Sequence, residues 1–324
     1  MVEPKTIQHN LLIHIARLYY LERLTHQEIG DRLGLSRIKI TRLLQQAVDD
    51  KIVEFHIQEP DSESFDLEFK IARQFGLDKV IVVPEGENQT HLLQLLGRRT
   101  ADYLGDILND RSVIGLGWGR TLDEVSKAVE KKRMDIRGAK VVSLIGGMSA
   151  NTNQPNPYDV ASHLASAIGA VPHYLLLPAI VDNPRIKKLL LKSENNHSVT
   201  SLWDKLTVNL FSIGRLLPET GLFYSFPSPK KACSAVKKQG GIGDLLARPF
   251  DKDGKFLATD FLNRIIAIDN KKLKNVKTSI GVAGGEEKAD AILGALRTGL
   301  LTVLITDESA GRKILAKVGT ETKK

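Results

Sequence analysis

The chain has 324 residues, of which 42% are hydrophobic and 26% charged, with one cysteine and a formal net charge of +8. These values are ordinary for globular proteins, and the length favours two domains. They exclude a membrane span and a disulfide-stabilised scaffold, because no apolar run approaches about 18 residues and Cys233 has no second cysteine to pair with. The N-terminus lacks the layout of a secretory signal, and no Cys/His cluster has zinc-ligand spacing. We therefore expect a cytoplasmic protein that needs no metal, cofactor or membrane.

The positive charge is unevenly distributed along the chain. Residues 1–60 contain eight Lys and Arg and eight Asp and Glu, so this segment is neutral. The excess lies downstream, in lysine pairs such as Lys187-Lys188 and Lys230-Lys231, which are more typical of solvated surfaces than of a DNA-binding groove. Bulk charge is therefore weak evidence for nucleic-acid binding, and the local arrangement of charged residues must decide.

Three helices are predicted in the first fifty residues. Residues 7–22 carry apolar side chains at the i, i+3, i+4 and i+7 spacing of an amphipathic helix. Thr25 and Glu28 have the Ser/Thr-x-x-Glu spacing of a capping box, which begins a second helix. Gly34 ends that helix, and Ser36 is a favourable N-cap for the third.

The second and third helices, with the glycine turn between them, have the pattern of a helix-turn-helix motif. Residues 52–57 alternate like a short strand and predict a wing beside the helices. The third helix begins with three positive charges in six residues, and such side chains can donate to guanine edges or phosphates in the major groove. The predicted DNA-binding residues are Thr25, Gln27, Ser36, Arg37, Lys39, Thr41 and Arg42.

After Pro60 the pattern changes to short apolar runs that alternate with helices. This alternation predicts a parallel sheet covered on both faces, so the fold class is α/β, with a winged-type helix-turn-helix at residues 1–58 and an effector domain at 59–324. The predicted strands are 79–83, 112–116, 139–145, 173–177, 207–213, 264–268, 279–283 and 301–305. The predicted helices are 66–75, 89–108, 121–131, 158–169 and 288–297.

Glycine-rich loops follow several of these strands, where ligands of parallel sheets bind. Glycine lets the backbone approach a ligand, and a following helix N-terminus presents N–H groups to an anion. The first of these loops, residues 115–121, matches neither a Walker A loop nor a full dinucleotide fingerprint. The predicted effector residues in these loops are Gly117, Trp118, Gly119, Arg120, Thr121, Gly146, Gly147, Gly284, Gly285 and Lys288.

Asp244 completes this set, because a carboxylate can accept hydrogen bonds from two adjacent sugar hydroxyls. The nearby Asp251-Lys252-Asp253-Gly254 is similar to part of a calcium loop, but the later ligands are missing. We expect a turn at this position rather than a metal site.

The N-terminal string ARLYYLERLTHQEIGDRLGLSRIKITRLLQQAVDDKIVEFHI resembles that of the SorC/DeoR-type sugar-binding transcriptional regulators, and the resemblance continues through the glycine loops. It implies an effector domain similar to sugar-phosphate isomerases and deaminases, in a homo-oligomer, a dimer or a tetramer. It also implies that Gly119, Arg120, Thr121 and Lys288 surround the polar head of a sugar, polyol or sugar phosphate, while Asp244 holds hydroxyls.

We therefore expect a regulator of a carbohydrate operon whose affinity for double-stranded operator DNA changes when the effector binds. The family's fold leaves open an enzyme, an isomerase or deaminase acting on sugar phosphates. The sequence is also compatible with an architectural DNA binder without a ligand, and with a helical hairpin whose basic face is merely solvated. A lysine beside the glycine pair at 146–147 could form an imine with an aldehyde, but Ile145 stands there, so we expect non-covalent binding.

Overall fold

A computed structural model describes residues 4–54, 63–132, 134–148, 155–218, 223, 228–258 and 262–321. The chain divides into two compact units, Met1–Asp61 and Ser62–Lys324. Each unit has its own apolar core. Within the described residues, no helix combines the length and apolar character needed to cross a membrane.

The first unit is helical. Helix α1 (Pro4–Ala16) continues as a π-helical turn (Arg17–Leu21), followed by α2 (His26–Leu33) and α3 (Arg37–Asp49). These helices meet because each carries an apolar stripe at helical spacing. The fully or nearly fully buried side chains of the main cluster are Ile15, Leu18, Ile29, Ile40 and Leu44.

The predicted caps define the start of α2 and the turn between α2 and α3. The Thr25 hydroxyl accepts from the Glu28 N–H at 3.3 Å, and the Glu28 carboxylate accepts from the Thr25 N–H at 2.7 Å, which completes the capping box. Gly34 ends α2 with a left-handed φ of 67°, a conformation that glycine adopts without steric cost. Ser36 caps α3 by accepting from the Lys39 N–H at 3.3 Å. The helix-turn-helix prediction is therefore confirmed.

The predicted strand at residues 52–57 is not formed where the structure describes it. Residues 52–54 form a bend and an irregular segment, and residues 55–57 lie outside the described residues. Ile52 and Val53 pack against a small cluster that includes Leu12 and Ala47. Their apolar character therefore reflects packing under the helices, and the wing stays a prediction.

The second unit alternates strands and helices. Its strands are β1 (Lys79–Val83), β2 (Val113–Leu116), β3 (Lys140–Ser143), β4 (Val171–His173), β5 (Val208–Ser212), β6 (Gly214–Arg215), β7 (Gly241–Leu245), β8 (Arg248–Asp251), β9 (Thr278–Val282) and β10 (Val303–Asp307). Its α-helices are α4 (Glu63–Phe75), α5 (Gln89–Ile107), α6 (Arg120–Lys132), α7 (Pro157–Ile168), α8 (Pro184–Lys192), α9 (Glu194–Thr200), α10 (Pro229–Lys238), α11 (Asn270–Leu273), α12 (Ala289–Arg297) and α13 (Glu308–Glu321). Short 3₁₀ segments lie at Ser201–Asp204, Leu262–Arg264 and Glu286–Lys288.

Within the described residues, seven strands form one parallel sheet in the order β1-β10-β9-β5-β2-β3-β4. Successive side chains alternate between its faces, so Val80 and Val82 of β1 join one core while Ile81 and Val83 join the other. Helices α5, α6 and α7 cover the second face, and α4, α12 and α13 cover the first. The predicted α/β class, with a parallel sheet covered on both faces, is confirmed.

Two predicted strands are wrong in extent or kind. Strand β4 ends at His173, although Leu175 and Leu177 beyond it are buried. Their carbonyl oxygens lie 2.7 and 2.9 Å from the Tyr158 hydroxyl, so a side chain replaces the strand ladder there. The run 264–268 forms isolated antiparallel bridges instead of a strand.

A small antiparallel sheet, which the sequence pattern did not predict, is formed by β6, β7 and β8. It places Gly214 opposite Asp244 and closes with a hairpin turn in which Leu246 and Ala247 have positive φ angles of 49° and 62°. Asp244 therefore belongs to a strand, and β6 brings it beside the end of β5.

Candidate functional site

The strand order reverses between β2 and β5. From β2 the chain continues to β3 and β4 on one side, whereas β5 is followed by β9 and β10 on the other. Connections that leave such a pair diverge to opposite faces, which opens a crevice at the carboxyl ends of the strands. A cavity of about 390 Å³ lies at this edge, lined by residues that end or follow five strands. These residues are Glu85, Gly117, Ser212, Gly284 and Asp307.

Most of the predicted effector-binding residues line this one cavity. They come from three separate parts of the sequence, and the parallel topology brings them together. They are Gly117, Trp118, Gly119, Arg120, Thr121, Asp244, Gly284, Gly285 and Lys288. Their convergence supports a common ligand, and their contact with it stays a prediction.

The loop between β2 and α6 aims the first turn of α6 at the cavity. Gly119 has a φ of 119°, and a Cβ built there would lie 2.9 Å from the Ser212 hydroxyl oxygen, so the position suits only glycine. The Ser212 hydroxyl donates to the Trp118 carbonyl at 2.6 Å and holds the loop against β5. The first N–H groups of a helix have no partner within the helix, so this turn presents donors to an anion.

Cationic side chains from three segments line the same cavity: Arg120, Arg215 and Lys288. Burial lowers the pKa of Lys288, and the positive charges of Arg120 and Arg215 lower it further, against the opposing effect of Glu287. The Lys288 ammonium group lies 3.5 Å from the Ile213 carbonyl oxygen. A bound anion would relieve this repulsion between like charges.

Asp244 is buried at the cavity wall, with 7% of its surface exposed. Its carboxylate accepts from the Ala247 N–H at 3.2 Å, a bond within the β7–β8 hairpin. Burial raises the pKa of Asp244 to about 7, while the Ala247 N–H and the charge of Lys288 act in the opposite direction. This carboxyl group can therefore exchange a proton near neutral pH.

The loop after β9 is held by an acidic residue at the end of β10. The Asp307 carboxylate is buried and accepts from the Gly285 N–H at 2.6 Å. It also accepts from Ser309 and from the Ala310 N–H in the first turn of α13. Asp307 thus orients the segment that carries Lys288, in addition to lining the cavity.

Gly146 and Gly147 lie away from this cavity, which corrects the expectation that they share the effector site. A Cβ on Gly146 would lie 2.4 Å from the Leu177 carbonyl oxygen, so the glycine permits a close backbone approach. The Gly147 N–H donates to the Tyr158 hydroxyl at 3.0 Å. Gly147 and Tyr158 border a separate, shallow pocket. The glycine pair is explained by packing against the segment that follows β4.

The turn at Asp251-Lys252-Asp253-Gly254 is confirmed. The Asp251 carboxylate accepts from the N–H groups of Asp253 and Lys255 at 3.0 and 2.9 Å, and Gly254 has a φ of 79°. In the part of the chain that the structure describes, no cluster of His, Cys, Asp and Glu could hold a metal ion.

The predicted DNA-contacting residues lie on the surface of the first unit. Arg37, Lys39, Thr41 and Arg42 are exposed on α3, and the exposed Ser36 caps it. They lie on one helix because its buried stripe leaves the other faces to solvent.

Several of the predicted contacts have partners inside the unit. The Thr41 hydroxyl donates to the Arg37 carbonyl at 3.1 Å and lies 3.1 Å from His26 Nδ1. The Gln27 amide donates to Asp31 at 2.8 Å, and the Thr25 hydroxyl donates to Glu28 at 2.8 Å. Of these contacts, only the one between Thr41 and His26 joins α3 to α2, and the others are local to one helix.

Some residues at both sites were missed by the sequence reasoning. Arg215 and Asp307 enter the cavity, and the signal for both was a polar residue at or just after the end of a strand. Ile38 lies among the cations of α3 with 68% of its surface exposed. An isoleucine is usually expected to be buried. The signal for exposure was the helical position of Ile38, which lies opposite the buried stripe of α3.

Comparison with known proteins gives two family matches. The family described as "Putative sugar-binding domain" matches residues 59–316, and the one described as "Sigma-70, region 4" matches residues 14–50. The chain is 29% identical over 309 residues to the deoxyribonucleoside regulator of Bacillus subtilis, covering 94% of this chain and 97% of the relative. It is 29% identical over 313 residues to the erythritol catabolism regulatory protein EryD of Brucella abortus, covering 95% and 97%.

Solved structures also match the chain over most of its length. The full-length sorbitol operon regulator SorC of Klebsiella pneumoniae superposes with a TM-score of 0.71 at 26% identity, covering 94% of this chain and 98% of that one. The likeness therefore extends through both units.

The chain combines a helix-turn-helix that has an exposed basic face with an α/β unit that holds a polar cavity. This combination defines a ligand-responsive DNA-binding transcriptional regulator. The family and structure matches identify the family. The chain belongs to the SorC/DeoR-type family of sugar-binding transcriptional regulators.

Proposed function

We propose that a small carbohydrate, a sugar, polyol or sugar phosphate, binds in the cavity at the β2–β5 switch point and changes the affinity of α2 and α3 for operator DNA. The observation that carries this proposal is the convergence of Arg120, Lys288 and Asp244 on one cavity of about 390 Å³. That volume suits a small metabolite and is modest for a dinucleotide. The protein acts in the cytoplasm, where its operator is accessible.

Two kinds of charged group line the cavity, cations and carboxylates. Arg120, Arg215, Lys288 and the first turn of α6 suit a phosphate or another anionic head. Asp244 and Asp307 are acceptors suited to neighbouring hydroxyls. The names of the relatives support this chemistry, since they refer to a deoxyribonucleoside, to erythritol and to sorbitol.

The complex is reversible and non-covalent. Ile145, which stands beside the glycine pair, is fully buried and has no amine for an imine. Treatment of the protein with an aldehyde sugar phosphate and borohydride tests this point. The expected mass is unchanged, and a stable adduct would contradict non-covalent binding.

The regulator acts as a homo-oligomer, a dimer or a tetramer, whose helix-turn-helix units reach successive half-sites. The effector favours one of two arrangements and thereby changes the spacing or freedom of the DNA-reading units. Such a switch requires a different effector affinity in each arrangement, and the coupling is reciprocal with DNA binding. Light scattering tests the oligomer, and a monomer at operator-binding concentrations would contradict it.

The effector is found by a thermal-shift screen of pentoses, hexoses, polyols and their phosphates, since a ligand of the native state raises its apparent stability. The expected result is a shift with one chemical class that disappears in the Arg120→Ala variant. Arg73→Ala, an exposed change near the end of α4, is the matched control and should retain the shift. The absence of any shift would favour an architectural DNA binder instead.

A second candidate, catalysis on a sugar phosphate, is favoured by one observation. The Asp244 carboxyl, with its pKa raised by burial to about 7, has the proton affinity of a general base and lies at the cavity wall. We favour the non-catalytic function because the relatives are named as regulators. Turnover of a sugar-phosphate panel at ordinary enzyme rates that is lost in Asp244→Asn would reverse this preference.

A further inference from the structure

Ile38 is an isoleucine on the surface of the first unit, in the first turn of α3. Its exposed fraction is 68%, whereas Ile40, two positions later, is fully buried among the helices. Two positions on a helix correspond to a rotation of about 200°, so the two isoleucines point in nearly opposite directions. Ile38 therefore contributes little to the core of the unit.

The position of Ile38 is central on the outward side of α3. The buried side chains of this helix are Ile40, Leu44 and Ala47. At about 100° per residue, Ile38 and Arg42 lie opposite this buried stripe, while Arg37 and Lys39 flank them. The centre of the DNA-facing surface is thus an apolar side chain followed, one turn later, by an arginine.

The first turn of α3 is poorly suited to stabilising a helix by itself. It contains no acidic residue and begins Arg37-Ile38-Lys39, although a helix N-terminus favours negative charge. A β-branched residue also has a lower helix propensity than alanine, glutamate or lysine. This composition is unfavourable for the isolated helix and favourable for contact with a polyanion that also offers an apolar group.

We propose that Ile38 determines operator specificity by packing against the 5-methyl group of a thymine in the major groove. Thymine presents the one apolar group on the major-groove edge of the base pairs, and side chains at the start of a recognition helix reach that edge. Arg37, Lys39 and Arg42 surround Ile38 with positive charge, which complements DNA and opposes burial against another basic surface. The inference rests on the DNA-binding function of α2 and α3.

The experiment begins with operator selection from a random DNA library by the full-length protein. Each thymine of the selected half-site is then replaced by uracil, which removes the methyl group and leaves the hydrogen-bonding edge unchanged. The expected result is one thymine at which uracil weakens binding of the wild-type protein about fourfold, the effect of one buried methyl group. In the Ile38→Ala variant, the same replacement should have no further effect.

Arg42→Ala is the matched variant on the same face and should keep the sensitivity to uracil at that thymine. Ile38→Ala should fold as the wild type does, because the side chain is exposed; its thermal unfolding checks this. The proposal is overturned if uracil is tolerated at every thymine, or if Ile38→Ala stays sensitive to it. If Ile38→Ala changed the oligomeric state and kept the wild-type sensitivity to uracil, the proposal would also be overturned, and Ile38 would be assigned to a contact between protein chains. A library that yields no enriched sequence would instead contradict the DNA-binding function itself.

Discussion

The DNA-reading face and the effector cavity both gather positive charge, but they do so in different ways. On α3 the cations are exposed and lie within six residues of one another, in a segment whose net charge is zero. In the second unit, Arg120, Arg215 and Lys288 come from three distant segments and meet at the edge of a sheet. The first arrangement depends on local caps and helical periodicity, and the second depends on topology.

The two arrangements also differ in their electrostatic cost. Exposed charges are solvated, so α3 can carry them with little effect on stability. Charges at the cavity are partly or wholly desolvated, which is why the pKa of Asp244 is raised and that of Lys288 is lowered. Substitutions at the cavity are therefore expected to affect stability and pH dependence, whereas substitutions of the exposed cations of α3 should affect DNA binding alone.

The largest expected effect is a pH dependence of stability that comes from Asp244. Its pKa is about 7 in the folded chain and 3.8 ordinarily, so the folded state holds the proton more tightly. The contribution of Asp244 to stability is therefore complete below about pH 3.8 and is lost as the pH rises through about 7, a decrease of roughly 2–4 kcal/mol. Unfolding monitored by tryptophan fluorescence measures this in the second unit, which contains both tryptophans.

The variant Asp244→Asn keeps the shape and removes the ionisation. Over the same pH range, its free energy of unfolding minus that of the wild type should rise by about the same amount. Asp159→Asn, an exposed change on α7, is the control and should leave the slope unaltered. A difference that is independent of pH would contradict the raised pKa of Asp244.

The next effect is on effector binding. Lys288→Ala removes a desolvated cation from the cavity and should weaken binding of an anionic effector about 100-fold, with operator affinity unchanged. Titration followed through the fluorescence of Trp118, which lines the cavity, measures this. Lys317→Ala, at a lysine paired with Asp290 away from the cavity, should bind as the wild type does. An equal loss of effector affinity in Lys288→Ala and Lys317→Ala would indicate a general effect of charge and would contradict a specific role for Lys288.

On the DNA-reading face, Arg37→Ala should weaken operator binding about tenfold and leave effector binding intact. The salt dependence should also become shallower by about one counterion if Arg37 contacts a phosphate. Arg32 is an exposed arginine of α2 that pairs with Glu22. Arg32→Ala is the control and should bind operator as the wild type does. If Arg37→Ala and Lys288→Ala each lost both activities, the separation between the two regions would be wrong.

The smallest effect concerns the cap of the recognition helix. Ser36→Ala removes the acceptor for the Lys39 N–H and should destabilise α3 by about 1 kcal/mol. Hydrogen exchange of the α3 amides should then be about fivefold faster, while Ser36→Asn, which retains an acceptor, should exchange like the wild type. Unchanged exchange in Ser36→Ala would show that the cap is dispensable.

The contrast between the regions explains what the sequence could predict. Thr25, Gly34 and Ser36 act within a few residues of their own positions, so their roles were readable from the sequence. Arg215 lies in the two-residue strand β6, which has too little sequence to form a pattern, and Gly214 of β6 is the pairing partner of Asp244. The misplaced strand at 173–177 has the same origin, because the carbonyls there bond to the distant Tyr158.

The pair Ile38 and Ile40 shows where composition and periodicity disagree. Both are isoleucines in an amphipathic helix, yet one is buried and the other is exposed. Helical phase decides between them, since Ile40 lies on the buried stripe of α3 and Ile38 lies on the opposite, solvent-facing side.

Thermodynamic coupling between the cavity and the DNA-reading face is the central claim. Operator affinity, measured with and without a saturating effector from the thermal-shift screen, tests it most directly. We predict a change of at least about fivefold, matched by an equal change in effector affinity when operator is saturating. An operator affinity that stays the same in the presence of a ligand that demonstrably binds the cavity would contradict it.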